Sequence, residues 1–178
     1  GWTQVWDGEG SILDVGCGSG ALAVSVAKRY EKAQIIGIDY WGKHWEYSQT
    51  LCEKNAKLEN VPNRIEFKKA SAADLPFDDE SFDVVLSNLV FHEVGGVKDK
   101  TEVIKEALRV LKKGGKFVFQ DLFLWTTVYG KPEILLRTIQ SWGIKEVRMI
   151  RTNEMSFIPR MLKLPFMLGT ISMIVGEK

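Results

Sequence analysis

Glycines stand at alternate positions in Ile12-Leu13-Asp14-Val15-Gly16-Cys17-Gly18-Ser19-Gly20, where an apolar run gives way to a helical pattern. Glycine at such a junction lets the backbone turn sharply and lets a ligand approach the main chain closely. A carboxylate, Asp39, closes the next apolar run 19 residues after Gly20. Placed there, it can accept both hydroxyl hydrogens of a ribose. Loop and acid together predict a site for a nucleoside-containing cofactor. On the plainer alternative, the glycines only tighten a turn and Asp39 caps a helix. The dinucleotide fingerprint G-x-G-x-x-G needs glycine where Ala21 stands, and the third glycine falls one residue early, at Gly20. No Lys-Ser/Thr pair follows, which excludes a phosphate-cradling P-loop.

A second set of reactive residues lies further on, in Asn88-Leu89-Val90-Phe91-His92-Glu93. His92 is the candidate general base, because its ordinary pKa lies near neutrality. Its alternative role is to hydrogen-bond the backbone and shape a pocket floor. His44 opens a helix and is expected at the surface or the cofactor edge. Cys17, between two loop glycines, is expected to pack as a small residue under the cofactor, with a nucleophilic role as the alternative. Cys52 falls on an inward helix face and reads as core.

The elements that must hold these residues alternate almost to the end of the chain. Strands are predicted over residues 11–15, 34–39, 64–69, 81–87 and 116–121. Helices are predicted over 21–30, 43–58, 97–111 and 133–142. The 43–58 helix turns Trp45, Ser48, Cys52 and Ala56 inward, and Gly114 and Gly115 are expected to end the 97–111 helix. Two last strands, 144–151 and 170–175, flank an irregular apolar stretch at 152–169. Strands spaced by helices of this length imply right-handed βαβ units and a parallel sheet. One α/β domain over residues 1–178 is expected, without repeat, linker or low-complexity tract.

Composition narrows the field. Lys plus Arg is 24 and Asp plus Glu is 23, a net charge of +1, so only a local patch could draw nucleic acid or an anionic membrane. With two cysteines there is no disulfide framework and no zinc-ligand spacing, so no metal site is expected and the chain is assigned to a reducing, cytoplasmic compartment. No apolar run is long enough to span a bilayer. The first residue is Gly, and few residues precede the first strand, so the chain is expected to be a piece of something longer.

The segment Asp14-Val15-Gly16-Cys17-Gly18-Ser19-Gly20 resembles motif I of the class I S-adenosylmethionine-dependent methyltransferases. Leu75-Pro76-Phe77 followed by Ser81-Phe82-Asp83-Val84-Val85 resembles a stretch of their ubiquinone/menaquinone-methyltransferase-like, type 11 branch. Leu108-Arg109-Val110-Leu111-Lys112-Lys113-Gly114-Gly115 resembles the segment before its fifth strand. The likeness covers nearly the whole chain. It implies a Rossmann-like three-layer sandwich with seven strands in the order 3-2-1-4-5-7-6, the last antiparallel.

The resemblance also implies roles. Gly16 and Gly18 would pass beneath the methionine and ribose of S-adenosylmethionine, and Asp14 would help hold the methionine amino group. Asp39 would bind the ribose. Tyr40, or Trp41 beside it, would lie against the adenine, and Asn88 would face the methyl-donor end. Relatives place Asp where this sequence has Ser71, so Ser71 and Ala72 are the adenine-side candidates, with Asp74 the alternative. S-adenosylhomocysteine would be the product.

Two apolar segments, residues 122–129 and 157–168, would cover the acceptor side. They predict a small-molecule or lipid-like acceptor, with Arg160 and Lys163 gripping an anionic headgroup and peripheral membrane contact. Their alternative role is ordinary core. The loop Ser87-Asn88-Leu89-Val90 is unlike the N-P-P-Y loop used on planar nitrogens, which with the neutral charge argues against nucleic acid as substrate. Two other functions stay open: a cofactor-binding sensor or subunit without catalysis, and an NAD-dependent oxidoreductase, which Ala21 disfavours.

Overall fold

Short runs rich in Ile, Val and Phe become strands, and the amphipathic stretches between them become helices. The computed structural model describes residues 6–42, 48–154 and 169–178. In chain order the elements are β1 (Gly10–Val15), α1 (Ala21–Arg29), β2 (Ala33–Asp39), α2 (Gln49–Leu58), β3 (Ile65–Lys69), β4 (Phe82–Asn88), α3 (Thr101–Arg109), β5 (Leu111–Asp121), α4 (Thr126–Tyr129), α5 (Pro132–Ser141), β6 (Glu146–Arg151) and β7 (Ser172–Glu177). They build one seven-stranded sheet in the order β3-β2-β1-β4-β5-β7-β6. β7 is antiparallel to both of its neighbours, and the other pairs are parallel. This is the α/β, Rossmann-like order that the resemblance implied.

Register decides where the strands end. Val15 stands beside Ile38 and Ser87, Asp39 beside Lys69, and Asn88 beside Gln120. The carboxyl ends of β1 to β5 therefore finish along one edge. The strand order reverses between β1 and β4, the switch point where open α/β sheets leave a crevice for ligands.

The period-2 alternation of each strand feeds two apolar layers. Leu13, Val15, Val85, Phe117 and Phe119 pack on Val103, Ile104, Ala107 and Leu108 of α3 and on Leu135 and Ile139 of α5. Ile12, Ile35 and Val84 pack on Ala23, Val24 and Ala27 of α1 and on Cys52 and Ala56 of α2. The sheet is the middle of a three-layer sandwich.

Several boundaries differ from the sequence reading, and two of the differences have a visible cause. α3 stops at Arg109, and Leu111 is already in β5, paired with Phe82. The Lys178 ammonium ends the helix by donating to the carbonyls of Leu108 and Leu111 at 2.9 and 2.8 Å. Gly114 and Gly115 are thus not a helix stop; they lie in the irregular entry to β5, where the register jumps between Phe82 and Val84. The described part of the second helix begins at Gln49, because the Ser48 hydroxyl accepts the Leu51 N–H and caps it. Residues 43–47, with His44 and Trp45, lie outside the described residues.

Arg109 ties α3 to the turn around Leu75-Pro76-Phe77. Its guanidinium donates to the carbonyls of Leu75 and Phe77 at 3.0 and 2.9 Å, and to Asp79 at 2.7 Å. Glu106 takes two more of its N–H groups and also accepts the Leu75 N–H at 2.8 Å. Arg109 holds the Glu106 carboxyl below its usual range. Only a planar fork can serve so many acceptors at once. Arg109→Ala is expected to lower stability by about 1.5–3 kcal/mol, the scale of charged hydrogen bonds, and Arg109→Lys to recover little of it. Urea unfolding followed by circular dichroism checks both.

Candidate functional site

The chain leaves β1 with its first amides already used. Gly16 and Cys17 both donate to the Ile38 carbonyl, at 2.8 and 2.9 Å, which folds the loop back over β2. Gly16, Gly18 and Gly20 all have positive φ, at 74, 55 and 81°. A Cβ on Gly16 would fall 2.2 Å from Cγ2 of Val90, and one on Gly20 would fall 2.9 Å from the Phe67 ring. Conformation and space both demand glycine at those two positions.

Asp39 reaches across from β2. One carboxylate oxygen accepts the Gly18 N–H and the other the Trp41 N–H, each at 2.9 Å. A carboxylate has about four acceptor sites, so roughly two remain for a ligand. The Trp41 indole donates to the Gly18 carbonyl at 2.9 Å and lies on the loop. Tyr40 is instead exposed, with the Lys69 ammonium 5.4 Å from its ring centroid. Of the two adenine-side aromatic candidates, Trp41 is the one brought onto the glycine loop.

Asp14 is fully buried beneath the loop, beside the start of α1. The Ala23 N–H serves the carboxyl, while Oδ2 has no hydrogen-bond partner. Burial pushes its pKa up to about 7, the Ala23 hydrogen bond pulls it down, and the Asp39 charge adds to the rise. Cys17 and Cys52 are both buried in the layer under the loop, and the Cys52 thiol donates to the Gly18 carbonyl at 3.1 Å. Contact with Cys52 and then burial push the Cys17 thiol up, which disfavours the thiolate that a nucleophile needs.

Ser71 follows β3, next to the end of β2, and its hydroxyl accepts the Ala73 N–H at 3.2 Å. Ala72 is buried and Asp74 exposed. Asn88 is exposed at the end of β4. Gly16, Asp39, Ser71 and Asn88 thus stand on four neighbouring strand ends.

His92 stands beside them, in a one-turn 3-10 helix after β4. Its Nδ1 meets Oδ1 of Asp121 at 2.5 Å, and its main-chain N–H reaches Oδ2 at 3.3 Å. Asp121, the last residue of β5, is completely buried. Sequence reading placed Asp121 only as the end of a strand and assigned it nothing. The signal was present: an acid closing a parallel strand, the same position that singled out Asp39. Val90 was missed too, since nothing in a sequence says which side chain fills the space beside a glycine. The apolar segment 157–168, with Arg160 and Lys163, lies outside the described residues. Among the described residues, no helix is long and apolar enough to cross a membrane.

Comparison with known proteins bears on what this arrangement does. A family model described as a methyltransferase domain matches residues 13–119. Over 111 residues, 62% of the chain, the sequence is 35% identical to erythromycin 3''-O-methyltransferase of Saccharopolyspora erythraea and covers 34% of that protein. Over 113 residues, 63% of the chain, it is 34% identical to the ubiquinone/menaquinone biosynthesis C-methyltransferase UbiE of Geotalea daltonii and covers 45% of it. The chain thus spans about a third to a half of the length of these curated relatives. The crystal structure of geranyl diphosphate C-methyltransferase from Streptomyces coelicolor A3(2), in complex with Mg2+, geranyl diphosphate and S-adenosyl-L-homocysteine, is similar with a TM-score of 0.70. That match covers 95% of this chain and 72% of that one at 14% identity, a likeness of fold.

Asp14 gives the site a pH signature. Its folded-state pKa, about 7, lies above its ordinary value of 3.8, so the native state holds the extra proton between the two. The stability this confers is full below pH 4 and is lost as pH rises through 7. A rise of that size corresponds to a loss on the order of 4 kcal/mol. Asp14→Asn is expected to flatten that part of the curve. Urea midpoints of both proteins at intervals between pH 4 and 8 measure the difference.

Proposed function

The chain belongs to the methyltransferase domain family, and on that premise we propose that it binds S-adenosylmethionine on the glycine loop and transfers the methyl group to a small-molecule acceptor. One observation carries the reading: two acids flank the loop, one with a buried oxygen that has no partner, the other with acceptor sites to spare. S-adenosylmethionine has the matching groups, an ammonium and a ribose diol. The ammonium would satisfy Oδ2 of Asp14 and favour its charged form. The ribose hydroxyls would take the free sites of Asp39, which already braces Gly18. Gly16 and Gly18 would let the ligand lie close to the main chain, with Cys17 and Gly20 shaping the loop beneath it. Trp41 would flank the adenine, with Ser71 and Ala72 at its edge and Asn88 toward the donor end.

When bound, the cofactor supplies a methyl group on a cationic sulfur, a leaving group that needs no protonation. The chain's own residues then have to position, desolvate and, where the acceptor carries a proton, remove it. His92 is the residue to which we assign the proton. The three proteins compared above are named for methyl transfer in small-molecule chemistry, which supports an acceptor of that size. Trp125, half-exposed after β5, supports an apolar wall on the acceptor side. A cofactor-binding module without catalysis finds no support in those names.

Calorimetry tests the cofactor assignment directly. S-adenosylhomocysteine is expected to bind, NAD to give no heat, and Asp39→Ala to weaken binding by about 1.5–3 kcal/mol. Unchanged affinity in that variant would remove the ribose assignment. For His92→Ala, turnover is expected to fall by roughly 10²–10⁴ with cofactor affinity nearly intact. A loss confined to acceptor affinity would reduce His92 to a wall of the pocket.

A further inference from the structure

Asp121 has more partners than any strand-end residue needs. It closes β5 with no exposed surface, where an acid is rarely found unless it is paired. Oδ1 meets Nδ1 of His92 at 2.5 Å and accepts the Leu122 N–H at 2.6 Å, while Oδ2 faces the His92 main-chain N–H. Tyr129, buried at the end of α4, lies near the same carboxylate; burial and then that charge raise its phenol pKa, and its hydroxyl has no hydrogen-bond partner. Groups from the loops after two strands therefore converge on one acid.

The consequence for His92 comes from donor and acceptor rules. A carboxylate only accepts, so the ring nitrogen that meets it, Nδ1, carries the proton. In the neutral ring the lone pair is then on Nε2. The ring is 17% exposed, and with Nδ1 against a buried acid its open side is the Nε2 side. Glu93, the other acid facing the ring, is 3.6 Å from Nε2, too far for a hydrogen bond.

We propose that Asp121 is a positioning residue that holds His92 as the Nδ1–H tautomer, and that the site is built for an acceptor hydroxyl. This rests on the methyl-transfer reading above. An amine can attack with the lone pair it has, whereas a hydroxyl gains most from a base that takes its proton as it reacts. The acceptor oxygen forms its bond to the methyl carbon, and the carbon–sulfur bond breaks with its electron pair left on sulfur. The hydroxyl proton passes to Nε2, giving an imidazolium that lies against the Asp121 charge and later releases the proton to water. Asp121 touches no reacting atom; the Leu122 and His92 main-chain N–H groups keep its carboxylate oriented.

The tautomer can be read without knowing the acceptor. The chain has only two histidines, so nitrogen-15 histidine labelling gives two ring systems, and His44→Gln assigns them. Wild-type His92 is expected to show a protonated Nδ1 and a bare Nε2. In Asp121→Asn the amide can turn its NH2 to the ring, and the proton is expected to move to Nε2. Turnover of para-cresol is expected to fall about 10²–10⁴-fold in that variant, with KM within a few-fold. A wild-type Nε2–H tautomer, or the wild-type tautomer retained in a folded Asp121→Asn protein, overturns the proposal. So does turnover of para-toluidine alone, indifferent to Asp121→Asn. If Asp121→Asn does not fold, the wild-type spectrum decides. Binding of S-adenosylhomocysteine by the wild type is measured alongside: its failure strikes the methyl-transfer reading, while failure of the tautomer with binding intact strikes only Asp121.

Discussion

The missing side chain at Gly16 is the constraint on which the rest of the edge depends. Val90, two residues past β4, occupies the space where a Cβ would stand, so the loop after β1 and the loop after β4 are in contact. That contact joins the two loops at the point where strand order reverses. It also fixes the course of the chain beyond each loop. After Gly16 the backbone must keep positive φ at Gly18 and Gly20 to enter α1, which brings the first turn of that helix over Asp14. After Val90 the chain has only two residues in which to deliver His92 to Asp121. A side chain at position 16 would push these two loops apart and displace both halves of the candidate site. A left-handed conformation alone costs a non-glycine residue about 1–2 kcal/mol, before any displacement of Val90.

Three aspartates on or at the ends of β1, β2 and β5 show how differently one type of side chain can be surrounded. Asp39 is partly exposed and serves two main-chain amides, so it stays available as an acceptor. Asp14 is buried with one oxygen unserved, and burial keeps it near the balance between acid and carboxylate at neutral pH. Asp121 is as deeply buried as Asp14 but meets two main-chain amides and an imidazole. The difference between the last two is hydrogen bonding, not depth. A buried polar group needs partners, and Asp121 has three where Asp14 has an oxygen with none.

Much of this was legible in the sequence, for identifiable reasons. The glycine string and Asp39 could be read because their chemistry depends on local spacing along the chain. The sheet order was reached through resemblance, with strand–helix alternation supplying the parallel class. What failed was of two kinds. Gly114 and Gly115 suggest too late an end for α3, because the residue that caps the helix, Lys178, comes from the last strand's far side and leaves no local signal. The Asp121 dyad went unseen because its partner is 29 residues away, and only the β4–β5 register brings the two together. Tyr40 and Trp41 were equivalent in sequence. They separate in three dimensions because the indole N–H has a carbonyl within reach.

Backbone strain falls on the same edge, and its causes can be named. Trp41 and Leu89 have φ of 41 and 57°, values that L side chains rarely adopt. Each comes just after a strand whose last residue belongs to the candidate site. Trp41 is held by its N–H on Asp39 and its indole on Gly18, and Leu89 by its N–H on the Gln120 carbonyl at 2.8 Å. Such conformations cost of order 1–3 kcal/mol each and persist only where surrounding bonds over-determine them. Here the bonds that do so involve the residues that shape the crevice. Asp39 cannot brace Gly18 without holding Trp41 in its strained turn. β5 cannot carry Asp121 to His92 without Gln120 presenting the carbonyl that holds Leu89. The strain is therefore the local consequence of bringing the two loops and the two acids to one edge.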